Sequence, residues 1–134
     1  KRQDDWVKAF EEGIRWVAPI QLSSRVATQD IRIRDCFIPK GDTLMTIQAS
    51  ANWDEDLFEN GELFNVYRTT NNHQAFGNGP HFCMGTHVAR RAVAHVMLPL
   101  LFEKFPNMKI PNLSDVKWHG FGFRGPIQLP VLLQ

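Results

Sequence analysis

Apolar residues recur with helical spacing at the start of the chain. Trp6, Phe10, Ile14 and Val17 stand four, four and three positions apart, which predicts one apolar face of a helix that stops before Pro19. Glu12 and Arg15, at i and i+3, are neighbours on the surface of that helix. From Ile20 the pattern shortens. Residues 21–26, 31–33, 37–38 and 44–47 are β-prone runs, parted by turn residues at Arg34-Asp35 and Pro39-Lys40-Gly41-Asp42, and they predict a small sheet of hairpins. One helical turn is expected at 49–53. Residues 54–79, rich in Asn, Gly, Asp and Glu, show little periodicity, and a loop of that length inside a compact domain implies a task. A second long helix is predicted over 86–105, with Val88, Ala92, Val96, Leu100 and Phe102 on one stripe and Arg90, Arg91, Glu103 and Lys104 off it. Pro99 should loosen that helix by removing a backbone donor. Residues 116–131 read as a closing hairpin pair punctuated by Gly120, Gly122 and Gly125. No repeat or low-complexity segment interrupts this α+β pattern.

Composition narrows the picture. With 134 residues, 43% hydrophobic and 11% aromatic, the chain suits one domain, 1–134. Fifteen basic against fourteen acidic residues leave a net charge of +1, so no whole-chain field favours nucleic acid or membrane. The longest apolar runs, such as 96–102, are too short to span a bilayer, and no secretory leader opens the chain. A cytoplasmic location follows, with Cys36 and Cys83 expected to remain reduced thiols instead of a disulfide. The opening lacks an initiator Met and runs straight into the first apolar pattern, so the chain is read as starting inside a longer protein.

The densest chemistry lies in Phe76-Gly77-Asn78-Gly79-Pro80-His81-Phe82-Cys83-Met84-Gly85-Thr86. Glycines before the cysteine permit a tight turn and close approach of backbone to a flat ligand, and Gly85 leaves one side of the sulfur bare. Cys83 precedes a helix, where the dipole and unpaired amides favour an anion. Taken alone, such a residue is a buried free cysteine at a helix start.

The spacing Phe76-x-x-Gly79-x-His81-x-Cys83-x-Gly85 resembles the cysteine-ligand loop of the cytochrome P450 family. Glu12-Gly13-Ile14-Arg15 is similar to that family's E-x-x-R helix, Pro19 to Arg25 to the strand after it, and Ile38-Pro39-Lys40-Gly41 to the next hairpin. Residues 49–54 and 123–131 resemble the helix before the meander loop and the closing hairpin. The resemblance implies the C-terminal part of the mostly helical P450 fold, with two main helices, small hairpin sheets and a long meander. It implies haem b (iron protoporphyrin IX) with Cys83 as axial ligand, the thiolate pushing electron density through iron to promote O–O cleavage. Phe76 and Gly77 would pack on the proximal side with Gly85, while His81 and Arg25 would meet the haem propionates. Glu12 and Arg15 would form a structural ion pair. Leu63 stands where the family often has an arginine that completes this pair, so Arg68 or a backbone carbonyl is expected to take its place. Ile20, Gln21, Leu22, Phe121 and Phe123 are the candidate substrate contacts, core packing being the alternative for each.

The activity implied is that of a soluble bacterial monooxygenase that hydroxylates or O-dealkylates a small organic substrate, aromatic ones included. A weaker likeness points to the aromatic O-demethylase type. Electrons would come from a ferredoxin or reductase, because no flavin or iron–sulfur motif is present, with Arg68, Arg90, Arg91 and Lys104 steering it. A non-catalytic haem-binding protein or sensor would use the same cysteine and stays open. Zinc usually takes four ligands, commonly with a second cysteine at close spacing, and no such cysteine accompanies His73, His81, Cys83, His87 and His95. Covalent haem attachment needs C-x-x-C-H, and a Cys/His hydrolase needs an orienting residue for His87. The family's distal helix, with its acid and threonine, is not found, so the chain alone is expected to bind haem weakly or self-associate, without coupled turnover.

Overall fold

The computed structural model describes residues 3–69 and 72–134. Lys1 and Arg2 at the chain opening, and Thr70 and Asn71 of the long loop, lie outside the described residues. Helix α1 spans Gln3–Trp16, with Asp4 and Asp5 in its first turn and Arg15 in its last, charges that complement the helix dipole. Of the expected apolar face, Phe10 is buried and Trp6 stacks on Phe102 at 5.3 Å between ring centroids. The most buried part of the helix is nevertheless polar. Glu11, Glu12 and Arg15 are 8%, 2% and 0% exposed. Glu12 and Arg15 are therefore not surface neighbours, as spacing alone suggested. The loop that begins at Asn52 folds over them and supplies backbone partners, and such pairing is what makes burial of charge tolerable.

The short strands form three two-stranded antiparallel sheets instead of one. β1 (Ser23–Val26) pairs with β4 (Thr43–Thr46), with Arg25 opposite Leu44, and between them in sequence β2 (Ile31–Ile33) pairs with β3 (Cys36–Ile38). One helical turn, α2 (Gln48–Ala51), leads into the meander. The tail pairs β5 (Lys117–His119) with β6 (Gly125–Gln128). The turn between them requires glycine at 120: φ is +100°, and a Cβ there would overlap the Phe123 carbonyl oxygen. This tail folds back on the segment after α1, where Gln21 N–H donates to Gly122 at 2.9 Å and Arg124 N–H to Pro19 at 2.8 Å.

The second long helix changes register twice. α3 (Thr86–Ala89) and α4 (Leu98–Lys104) flank a π-helical stretch over Arg90–Met97, and Leu98 N–H reaches back five residues to the Val93 carbonyl just before Pro99. The expected apolar stripe is not buried in this chain. Val88 and Leu100 are 70% and 58% exposed, whereas Ala94 is fully buried. The residues that reach α1 are Arg90 at Glu11, His95 at Gln3 and Phe102 at Trp6.

Candidate functional site

The cysteine loop is built by its own backbone. Gly77 and Gly79 adopt φ of +72° and +71°, and the Asn78 side chain accepts the Gly79 N–H at 2.7 Å to open a 3-10 turn over Gly79–His81. Cys83 N–H donates to the Phe76 carbonyl at 2.9 Å. Its own carbonyl accepts the Thr86 hydroxyl at 2.7 Å, and Thr86 is buried. The cysteine is thus pinned from both sides while its side chain stays exposed. A Cβ at Gly85 would sit 3.7 Å from Sγ, so the glycine leaves that side of the sulfur uncovered.

Sulfur, cation and apolar surface meet in one cavity of about 870 Å³, whose wall includes Cys83, His81, Phe76, Gly77, Arg25 and Ile14. Arg25 arrives from β1 with an exposed side chain that donates to the neighbouring Ser24 carbonyl, and His81 is exposed too. Gly85 lies beside the sulfur, outside the cavity wall. The expected substrate contacts are not brought together. Ile20 lines this cavity, whereas Gln21 lines a second one of about 370 Å³ with Trp16, Trp53, Trp118 and Arg124, and its amide donates to the Ala18 carbonyl. Leu22 is half-buried. Phe121 and Phe123 are each 77% exposed, so neither packs in a core here. Cys36 and Cys83 are both free thiols.

Behind the cavity, Arg15 donates to both Glu12 oxygens at 2.7 and 2.8 Å, and to the carbonyls of Asn52, Gly61 and Leu63 at 2.7, 2.8 and 3.1 Å. Glu12 also accepts the Asn65 N–H at 2.8 Å, and Arg68 Nε lies 3.4 Å away. Burial alone would raise the Glu12 carboxyl, but the Arg15 hydrogen bonds, the Asn65 amide and the charges of Arg15 and Arg68 hold it below its ordinary value.

A second cluster was not anticipated. Glu11 accepts Arg90 at 2.5 and 2.9 Å and His73 Nε2 at 2.9 Å, while the Ala75 N–H lies 3.2 Å from His73 Nδ1. Burial opposes ionisation of Glu11, yet the Arg90 and His73 hydrogen bonds and their charges bring its carboxyl down to about 2. The bond to Glu11 in turn raises Arg90. Separations of 62 and 79 residues leave no local sequence signal for this group. Arg90 and Arg68 are consequently tied into ion pairs, whereas Arg91 and Lys104, expected beside them as steering charges, are exposed.

A profile of the family described as Cytochrome P450 matches residues 7–118. The chain belongs to the cytochrome P450 family. Its relatives include the biotin biosynthesis cytochrome P450 of Bacillus subtilis (strain 168), 35% identical over 129 residues, covering 94% of this chain and 32% of the relative. Another is the steroid C26-monooxygenase of Mycobacterium tuberculosis (strain CDC 1551 / Oshkosh), 36% identical over 102 residues, covering 76% of this chain and 27% of that protein. Among solved structures, P450BioI in complex with hexadec-9Z-enoic acid ligated acyl carrier protein superposes with a TM-score of 0.89 at 32% identity, covering 97% of this chain and 33% of that one. The tirandamycin C-bound P450 monooxygenase TamI gives 0.91 at 37% identity, with the same coverages. The chain thus spans about a third of the length of these relatives. The α+β arrangement is that of the C-terminal part of the P450 fold, and the family cofactor is haem b. No group of three or more His, Cys, Asp or Glu side chains among the described residues could hold a metal ion. No described helix is long and apolar enough to cross a membrane.

Proposed function

We propose that this chain is the haem-holding portion of a haem-thiolate monooxygenase in which Cys83 is the axial ligand. The observation that carries the reading is the single cavity wall shared by Cys83, His81, Arg25 and Phe76. Its donors fit the group: a reachable thiol for iron, two side chains suited to propionate carboxylates, and apolar Phe10, Ile14 and Ile20 against the macrocycle. Bound there, haem supplies activation of dioxygen for insertion of one oxygen atom into a C–H bond. The residues of this chain do the rest. Cys83 would bind iron, Arg25 and His81 would orient the propionates, and Phe76, beside Gly77, would keep water from the sulfur. Glu12 and Arg15 hold the meander in place behind them.

The substrate proposed is a small organic molecule that is hydroxylated or O-dealkylated. Ile20 is its best-placed contact, with Phe121 and Phe123 free to turn toward a ligand. Names of relatives that refer to biotin biosynthesis and steroid oxidation lend no support to the aromatic O-demethylase type. A ferredoxin or reductase in the cytoplasm would deliver electrons. The exposed Phe121, Phe123, Val88 and Leu100 support a reading in which further protein covers this apolar surface, so the 134 residues alone would hold haem weakly or self-associate.

The test is coupled turnover. Joined to the remaining part of a P450 fold and supplied with an electron donor, the protein should consume dioxygen and reducing equivalents in step with product. The isolated chain should not. Coupled turnover by a monomeric 134-residue chain would overturn the partial-domain reading. A thiolate spectrum without turnover in the completed protein would favour a haem sensor.

A further inference from the structure

Residues on either side of the cysteine loop converge on one carboxylate. His73 lies before Phe76 and Arg90 follows Thr86, and both hydrogen-bond to Glu11 of α1. The Arg90 guanidinium, bidentate on Glu11, also lies 4.9 Å over the Phe76 ring, and the His73 ring is 5.9 Å from the same ring. Phe76 in turn accepts the Cys83 N–H at 2.9 Å. We propose that Glu11 is the positioning residue for the Cys83 sulfur, its single carboxylate locking both ends of the segment that carries the cysteine. The proposal rests on Cys83 being the haem ligand.

Its logic is mechanical and electrostatic. Residues 73–90 leave and rejoin the body of the protein around α1, where the Glu11 side chain hydrogen-bonds to both the approach and the exit. Because it is 8% exposed, its bonds compete weakly with water. Glu12 ties α1 to the meander instead, through Asn65 and Arg68, so neighbouring glutamates on one helix serve different segments. Side chains that hold the segment carrying a metal ligand set that ligand's orientation without touching the metal.

The experiment compares the haem-loaded protein with Glu11→Gln, Arg90→Lys and Arg91→Gln. It reads the red-shifted Soret band of the reduced carbon monoxide complex and, on haem-free and loaded protein, amide hydrogen exchange along the chain. Glu11→Gln is expected to lose most of the red-shifted band and to speed exchange in residues 76–86 by about tenfold, with exchange in the meander unchanged. Arg90→Lys keeps the charge but not the two-pronged contact, so an intermediate loss is expected. Arg91→Gln, outside the cluster, should match the parent. An unchanged band and unchanged loop exchange in Glu11→Gln would overturn the proposal. So would exchange raised equally in α1, meander and loop, the signature of a merely structural role. Should Glu11→Gln fail to fold, Arg90→Gln reads the same lock from a side chain 34% exposed. Cys83→Ala separates the two claims. If it retains the band, the ligand assignment fails, while loop exchange in haem-free Glu11→Gln still decides whether Glu11 locks the loop.

Discussion

Arg68 Nε lies 3.4 Å from Glu12 Oε1, and the same guanidinium donates to the carbonyls of Glu59, Asn60 and Leu63 at 2.6, 3.1 and 3.0 Å. The cation that completes the Glu12–Arg15 pair therefore comes from position 68, and Leu63 contributes its backbone, not its 56% exposed side chain. Arg68→Ala should destabilise the protein by about 1–3 kcal/mol, because it strips donors from the meander carbonyls. Leu63→Ala should cost well under that. Urea unfolding of both variants checks the order, and equal losses would contradict it.

Glu12→Gln leaves Arg15, which is fully buried, without its counter-charge. Removing one partner of such a pair costs about 3–5 kcal/mol. The loss should show as a lower denaturation midpoint with an unchanged slope. A change within about 0.5 kcal/mol, typical of surface sites, would mean the pair is not buried in solution.

Acid should unlock the Glu11 cluster. The carboxyl ionises at about 2 in the folded chain against an ordinary 4.5, so the folded state binds fewer protons than the unfolded chain in that window. Its stabilisation is present above pH 4.5 and disappears as pH falls toward 2, a loss of about 3 kcal/mol at most. Stability measured against pH should flatten across that window in Glu11→Gln. A parent and variant with parallel acid limbs would contradict the assignment.

Electron delivery should depend on Arg91 and not on Arg68. Arg91 is exposed on the helix that follows the cysteine loop, whereas Arg68 is committed to Glu12. Arg91→Glu should slow reduction by an acidic donor, with the parent rate falling as salt rises. Equal rates across ionic strength would exclude docking there.

The elements legible in the sequence were those whose signal is local. The Trp6-to-Val17 periodicity marks α1, the Pro39–Asp42 turn marks the start of β4, and the spacing around Cys83 marks the loop. Register over Arg90–Met97 was not legible, because a π-helical stretch changes which positions share a face without altering the composition. Nor was the Glu11–His73–Arg90 cluster, whose members are distant in sequence and ordinary by residue type. Gln21 shows the same limit on a smaller scale. Its neighbour Ile20 lines the larger cavity, and one step along the chain turns Gln21 toward the other.

Binding of the haem iron by the Cys83 sulfur is read most directly in the absorption spectrum of the reduced carbon monoxide complex. The parent and Cys36→Ser should both show a strongly red-shifted Soret band, since Cys36 sits in β3 away from the large cavity. Cys83→Ala should lose that band altogether. A red-shifted band that survives in Cys83→Ala, or a parent protein that never shows one when loaded with haem, would contradict the account.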